Sequence, residues 1–238
     1  MKTQLNPFRR FVLAACTVTA LAATAPAATA GTIEVSGTTL DDTVQLAGQT
    51  LVLNGAGYRK RGYFKVDVTA LYLQTRVNSV EGVEKVPGVK RLELVLQQDI
   101  SGAQASRYFL ADFEASAQPM EFAQLINEVS QIGGIYSSIR QLKKGDIVTL
   151  DIIPGKGCMA SLNGTPLIPH GASTPYFSNE LVGRVLFRMY VGGKTPSDLR
   201  DNLLGQSTSM REKVNPGATT AAATTASPAA SSAKSSTR

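Results

Sequence analysis

The chain has 238 residues, with 24 Lys and Arg, 18 Asp and Glu, and a net charge of +6. The positive surplus lies in residues 1–30 and 206–238, whereas acidic and basic residues balance over 31–205. The charge therefore gives no indication of nucleic-acid binding. Two Cys and one His are too few for a His- or Cys-rich metal cluster, and we expect no metal or other cofactor.

Residues 1–30 predict a cleaved export signal. Basic residues up to Arg10 precede an uncharged, Ala-rich run, and small residues stand directly before Gly31. Polar residues and Pro26 interrupt the run, so we expect no stable membrane anchor. A lipobox-like stretch at 13–16 and an Arg-Arg pair similar to a twin-arginine signal are alternatives that fit the spacing less well. The expected location is periplasmic or secreted.

Residues 206–238 predict a disordered tail. This segment consists mostly of Ala, Ser and Thr, which cannot bury enough apolar surface to offset the entropy of ordering. Residues 31–205 suffice for one domain with a sizeable core. We therefore expect the domain to fold without the tail.

The first half of the domain predicts strands. Short β-rich segments come first, at 32–39, 43–47 and 49–53. Asn54 and Gly55 then predict a tight turn before further extended chain. Residues 63–73 and 90–100 alternate between apolar and polar side chains, which is typical of strands packed on a core by one face.

Helical patterns follow in the middle of the chain. Ser101 is expected to be an N-cap, and Phe109 and Phe113 lie on one helical face. A second helix is expected to begin near Pro119 and to end at the glycine pair that starts at Gly133.

The last third predicts a hairpin and two closing helices. Strands are expected at 146–153, 158–162 and 165–168, with Asn163 and Gly164 in a tight turn. Thr174 and Thr195, each followed by Pro, predict two helix starts. The order β, α, β, α favours an α+β fold in which an antiparallel sheet packs against a layer of helices.

Few side chains form a recognisable site. Arg59, Lys60 and Arg61 stand together at a strand entrance, where they are either a solvated turn or a binding site for a carboxylate or enolate oxygen. The glycines before them are followed by a strand, which argues against a dinucleotide-binding motif. We expect Cys158 to be a buried thiol within a strand. We expect His170 to lie in a surface loop. We assign no catalytic residue.

Three segments resemble the chalcone isomerase-like family. They are GAGYRKRGYFKVDVTALYL at 55–73, GKGCMASLNG at 155–164 and LFRMYVGGKTPSDLRDNLLG at 186–205. The resemblance spans 32–205 and looks most like the bacterial exported branch. It implies an antiparallel sheet, a layer of helices and a ligand cleft between them. Plant members of the family cyclise chalcones, and related non-catalytic members bind fatty acids through an Arg and a Tyr.

The resemblance also implies five ligand-binding residues. Arg59 matches the family Arg. Asp67 lies where the plant enzymes have a Thr, and Asp112 lies where they have an Asn. Tyr108 is one helical turn past the position of the family Tyr. Thr174, or the residue before it, corresponds to a Thr near the penultimate helix.

The resemblance favours an exported, non-catalytic binder of a fatty acid or similar apolar carboxylate, with Arg59 at the polar end of its pocket. One alternative is an intramolecular lyase of the chalcone isomerase type acting on a phenolic substrate. Another is a structural or interaction module without a ligand. The expected partner is a small apolar or amphiphilic molecule, and the sequence indicates no protein partner. Because Ala105 lies where the plant enzymes have a Tyr, and Asp67 where they have a Thr, we expect no appreciable cyclisation of chalcones.

Overall fold

The computed structural model describes residues 31–214, so the expected export signal and residues 215–238 of the expected tail lie outside the described residues. The elements in chain order are β1 Thr32–Val35, β2 Thr38–Asp41, β3 Thr43–Leu46, β4 Gln49–Arg61, β5 Phe64–Leu73, α1 Val80–Lys85, β6 Lys90–Leu96, β7 Ile100–Ser101, α2 Gly102–Ser116, α3 Pro119–Gln124, α4 Ile126–Ser138, β8 Gln141–Leu142, β9 Ile147–Ile153, β10 Gly157–Leu162, β11 Thr165–Pro166, β12 Tyr176–Phe177, α5 Glu180–Val191, α6 Ser197–Leu203 and α7 Thr208–Val214.

An antiparallel sheet forms the centre of the molecule. Its strand order is β11-β10-β9-β6-β5-β4-β3, and β12 also pairs with β10. Alternation along β5 sends Leu71 and Leu73 into the core shared with the helices, and Ala70 and Tyr72 into a second core beneath the β1–β2 hairpin. The predicted α+β fold, with an antiparallel sheet packed against a layer of helices, is confirmed.

Helices α2, α4 and α5 cover one face of the sheet. The predicted cap of α2 is confirmed, because the Gln104 backbone N–H donates to Ser101 Oγ at 3.1 Å. The predicted helix end at Gly133 is wrong, since α4 continues to Ser138. A glycine inside a helix costs only about 1 kcal/mol relative to Ala, and burial of Ile135 beyond it outweighs that cost. No helix among the described residues has the length and apolar character needed to span a membrane.

The turn predicted at Asn54 is absent, and β4 runs through it with a register shift before Gly55. Tertiary hydrogen bonds hold the Asn54 side chain in the strand: Nδ2 donates to the Leu203 carbonyl and Oδ1 accepts from the Val77 N–H, both at 2.7 Å. The chain instead turns at Gly62, whose φ of +60° suits glycine.

Three other local expectations have mixed outcomes. The turn at Asn163 and Gly164 is confirmed, with φ values of +50° and +78°. The strand predicted at 32–39 is split into a hairpin between β1 and β2. The helix predicted from Thr174 starts later, because Asn179 supplies the cap by accepting from the Leu181 N–H.

The described chain continues past Gly205 as a helix. Residues 208–214 form α7, in which Met210 and Val214 are buried in the second core. The prediction that the chain is unstructured after Gly205 is therefore wrong for residues 206–214. Two apolar side chains four positions apart share one helical face, and that face packs against β4.

We expect Met210→Ala to lower the free energy of unfolding by about 2 kcal/mol, because it removes a buried side chain and leaves a cavity. Glu212→Ala, on the exposed side of the same helix, should change it by less than about 0.5 kcal/mol. Urea unfolding of the complete chain measures both values. Equal stability of the two variants would show that α7 does not stabilise the fold.

Candidate functional site

The candidate site begins where β4 and β5 lie side by side. Arg59 on β4 pairs with Asp67 on β5, and their side chains are only 10% and 4% exposed. Arg61 lies two residues further along β4, so strand alternation places it on the same face as Arg59. Lys60 is exposed and stacks over the Tyr58 ring, 5.2 Å from its centroid. The two arginines, and not Lys60, therefore face the helices.

A carboxylate from helix α2 joins the two arginines. Arg59 Nη1 donates to Asp112 Oδ2 at 2.7 Å, and Arg61 Nη2 donates to the same oxygen. Asp67 is held separately, since Thr69 Oγ1 donates to its Oδ1 at 2.6 Å. The four charges of Arg59, Arg61, Asp67 and Asp112 sum to zero.

Aromatic rings support both guanidinium groups. The Arg59 guanidinium carbon lies 4.1 Å from the centroid of the Tyr190 ring, and that of Arg61 lies 4.9 Å from the Tyr108 ring. Both distances suit cation–π contacts. The Tyr108 hydroxyl accepts a hydrogen bond from Gln104 Nε2 at 2.8 Å. The rings therefore fix the orientation of the guanidinium groups.

One edge of the Arg59 guanidinium is unused. Its Nε and Nη2, and the Nε of Arg61, are buried and make no hydrogen bond of good geometry among the described residues, although the Tyr190 hydroxyl lies close enough to the Arg59 guanidinium to help raise its pKa. Asp67 Oδ2 is 3.8 Å from Arg59 Nε, which is too long for a hydrogen bond. Nε and Nη2 are adjacent parallel donors, the pair that binds a carboxylate in bidentate fashion. A buried donor without a partner costs about 1–3 kcal/mol, so an acceptor at this edge is favoured.

At neutral pH, Arg59 stays positively charged and the phenols of Tyr136 and Tyr190 stay neutral. Burial opposes the charged form of Arg59, but Tyr190, Asp67 and Asp112 together hold its pKa above the ordinary value. Burial raises the pKa of Tyr190 and of Tyr136, so both phenols remain neutral. The polar end of the site therefore presents a permanent cation beside neutral hydroxyl groups.

A cavity extends from the arginines into the core. Its polar chamber is lined by Arg59, Arg61 and Asp67 and has a volume of about 70 Å³. An apolar chamber of about 60 Å³ adjoins it and reaches Phe177 and Leu167. The two chambers share walls formed by Leu94, Phe109, Tyr136, Leu142, Val148, Met189 and Tyr190. Each volume equals the room for a few water molecules, so a long acyl chain has to displace side chains on entry.

The structure brings together most of the predicted site residues. Arg59, Asp67 and Asp112 are in one cluster, and Tyr108 joins it through Arg61. Thr174 does not join them: it is exposed in the loop before β12 and lines neither chamber.

Two contributors, Tyr136 and Tyr190, were not predicted from the sequence, whereas Arg61 was expected only as one of three cations at the strand entrance. The two tyrosines are polar tips on the buried faces of α4 and α5, and that pattern was an available signal. Cys158 lines the apolar chamber, where burial raises the pKa of its thiol to about 12. It therefore stays protonated, as expected for a structural thiol.

Comparisons with known proteins agree with this architecture. The family model described as chalcone isomerase-like matches residues 32–205. The crystal structure of a fatty-acid binding protein from Arabidopsis thaliana superposes with a TM-score of 0.57 at 11% sequence identity, covering 71% of this chain and 95% of that chain. A search of curated proteins found no match. At this level of identity, the structural likeness shows a shared fold alone.

Proposed function

The chain belongs to the chalcone isomerase-like family, and we propose that it is an exported, non-catalytic binder of a fatty acid or a similar apolar carboxylate. The observation that carries the proposal is the unused Nε–Nη2 edge of Arg59 at the polar end of an otherwise apolar cavity. The signal-like pattern of residues 1–30 supports export to the periplasm or beyond, as in the bacterial exported branch of the family.

In this proposal, the ligand carboxylate binds the free Nε–Nη2 edge of Arg59 and competes with Asp112, which is bound at Nη1, for the positive charge and not for the same donors. The cluster is already neutral, so an added anion is favoured only if one of the two acids withdraws. Asp112 is 21% exposed and lies on α2 outside the two chambers, whereas Asp67 is 4% exposed and held by Thr69. Asp112 therefore turns towards solvent while the ligand accepts hydrogen bonds from Arg59, and the acyl chain occupies the apolar chamber.

The charges beside Arg59 favour binding over catalysis of the chalcone isomerase type. That reaction develops negative charge on the substrate, and an active site accelerates it by stabilising that charge in the transition state. Asp67 and Asp112 flank Arg59 and would repel it. A cavity with unused donors also favours a ligand over a purely structural module.

The test compares dodecanoic acid with its methyl ester. The ester keeps the acyl chain and loses the charge, so we expect the acid to bind about 10- to 100-fold more tightly, equivalent to a charge-assisted contact of about 1.5–3 kcal/mol. Isothermal titration calorimetry of the purified protein, below the micelle concentration, gives both affinities. Equal affinities would contradict recognition of the head group, and no binding of either compound would favour the structural alternative.

A further inference from the structure

The hairpin tip between β4 and β5 exposes two adjacent aromatic side chains. Tyr63 is 100% exposed and Phe64 is 67% exposed, although both belong to types that normally contribute to a core. The chain reverses at Gly62, Tyr63 follows in the turn, and Phe64 begins β5 opposite Arg61. Neither side chain packs in any of the cores of the described residues. Their exposure has no structural explanation within residues 31–214.

Cations flank these aromatic residues on both sides. The tip, defined here as residues 60–65, contains Lys60, Arg61 and Lys65 and no acidic residue. Lys60 and Lys65 are cross-strand partners, and both ammonium groups lie over the Tyr58 ring, at 5.2 and 4.5 Å from its centroid. Arg61 is neutralised by Asp112, but neither lysine forms an ion pair with any described residue. The tip therefore carries two uncompensated positive charges around an exposed Tyr-Phe pair.

This composition is that of a membrane interface. Aromatic side chains settle at the level of lipid head groups, and Lys and Arg near them are attracted to anionic lipids. A protein partner is less well suited, because a stable protein interface buries about 800 Å² on each side and a convex two-residue turn offers far less. The opposite charges of the tip and of phosphate head groups favour an anionic lipid surface.

We propose that residues 60–65 dock the protein on an anionic lipid surface, with Tyr63 and Phe64 in the interfacial region and Lys60 and Lys65 on the head-group phosphates. Arg61 belongs to the tip and also lines the polar chamber of the cavity. Docking therefore places the polar end of the cavity at the lipid surface, where an amphiphile enters or leaves. The docking itself does not depend on which ligand the cavity binds.

The first experiment uses the absence of tryptophan from the sequence. Tyr63→Trp introduces a single indole at the tip. The control, Ile168→Trp, introduces one at an apolar position that is 56% exposed in the segment after β11. Both proteins are purified after expression of the complete sequence. We expect vesicles of phosphatidylglycerol and phosphatidylcholine in equal parts to shift the emission of the tip indole to shorter wavelength and to leave the control unchanged. No shift at the tip, or equal shifts in both proteins, would overturn the proposal.

The second experiment measures co-sedimentation with the same vesicles and with phosphatidylcholine alone. Lys60→Gln with Lys65→Gln is expected to weaken binding about 30-fold, from about fivefold for each cation near an anionic surface. Tyr63→Ser with Phe64→Ser is expected to weaken it about tenfold or more. The control is a double variant, Lys143→Gln with Lys144→Gln, in which two exposed lysines outside the tip are changed. It has the same net charge as the first variant and should bind as the wild type does.

All four changed positions at the tip are exposed, so the variants are expected to fold. Binding should fall with added salt and be weak on phosphatidylcholine alone. A wild-type protein that sediments with neither vesicle, or tip variants that sediment as well as the Lys143/Lys144 control, would overturn the proposal. The Lys60→Gln/Lys65→Gln variant should bind dodecanoic acid as the wild type does, which separates a failure of docking from a failure of ligand recognition in the cavity.

Discussion

Replacing Arg59 with Gln is expected to weaken the binding of dodecanoic acid by about 10- to 100-fold, because the change removes a charge-assisted, bidentate contact with the carboxylate. The methyl ester should lose much less affinity, since it does not carry the charge that Arg59 recognises. Calorimetric titration of both ligands against the wild type and the variant gives the four affinities needed. The result to look for is the disappearance of the preference for the acid.

Two further variants test the same site. Lys60→Gln changes an exposed neighbour in the same strand and should leave the affinity for the acid unchanged. Asp112→Asn should increase that affinity, because it removes the carboxylate that competes for Arg59 and leaves the cluster with a net positive charge. If Arg59→Gln and Lys60→Gln bind the acid equally well, Arg59 is not the carboxylate site.

Arg59→Gln also leaves Asp67 buried without its opposite charge, which can cost several kcal/mol of stability. Circular dichroism therefore has to accompany each titration. Asp112→Asn keeps the proposal testable if Arg59→Gln does not fold, because Asp112 is partly exposed and its replacement is nearly isosteric. An unchanged or lower affinity for the acid in Asp112→Asn would contradict the exchange of carboxylates.

The sequence predicts part of the candidate site. The glycine-containing segment before Arg59 identifies that residue through the family resemblance, and counting along neighbouring elements reaches Asp67 and Asp112. Alternation along β4 places Arg61 on the same face, but it does not show that one carboxylate binds both arginines. Tyr190 lies on a helix far away in sequence and reaches Arg59 only through tertiary packing. No local pattern encodes such a contact.

Thr174 was predicted to belong to the site and does not. The pair Thr174-Pro175 is a typical helix start, and the expected position of this residue in the site depended on that helix. The helix instead begins after Asn179, which supplies its own side-chain cap, and Thr174 stays in an exposed loop. A short shift of an element boundary is thus enough to remove a residue from a site.

The strands and the fold class could be predicted because alternation is a property of the local sequence. The role of Gly55 could not, since an Asn-Gly pair has the same local signature in a turn and in a strand that another element approaches. Here, helix α6 lies directly against β4. A Cβ at Gly55 would be 2.1 Å from the Asn202 carbonyl oxygen and 2.7 Å from that of Leu203. Gly55 is therefore needed for close packing and not for a turn.

We accordingly expect Gly55→Ala to lower the free energy of unfolding by about 3 kcal/mol or more, the upper range for overpacking in a core. The obstructing atoms belong to the backbone of α6, so no side-chain rotation can relieve the contact. Gly134→Ala is the matched control: nothing lies within 4 Å of its added Cβ, and the change should stabilise α4 by up to about 1 kcal/mol.

In urea unfolding of the complete chain, we expect a lower free energy of unfolding for Gly55→Ala than for the wild type, and a higher one for Gly134→Ala. Because α6 also carries Leu199, which lines a second pocket beside Arg59, a displaced α6 in Gly55→Ala should disturb Arg59 and reduce the affinity for dodecanoic acid. A Gly55→Ala protein as stable as the wild type would mean that α6 can move away from β4 at little cost. Close packing of α6 on β4 would then not explain the glycine at position 55.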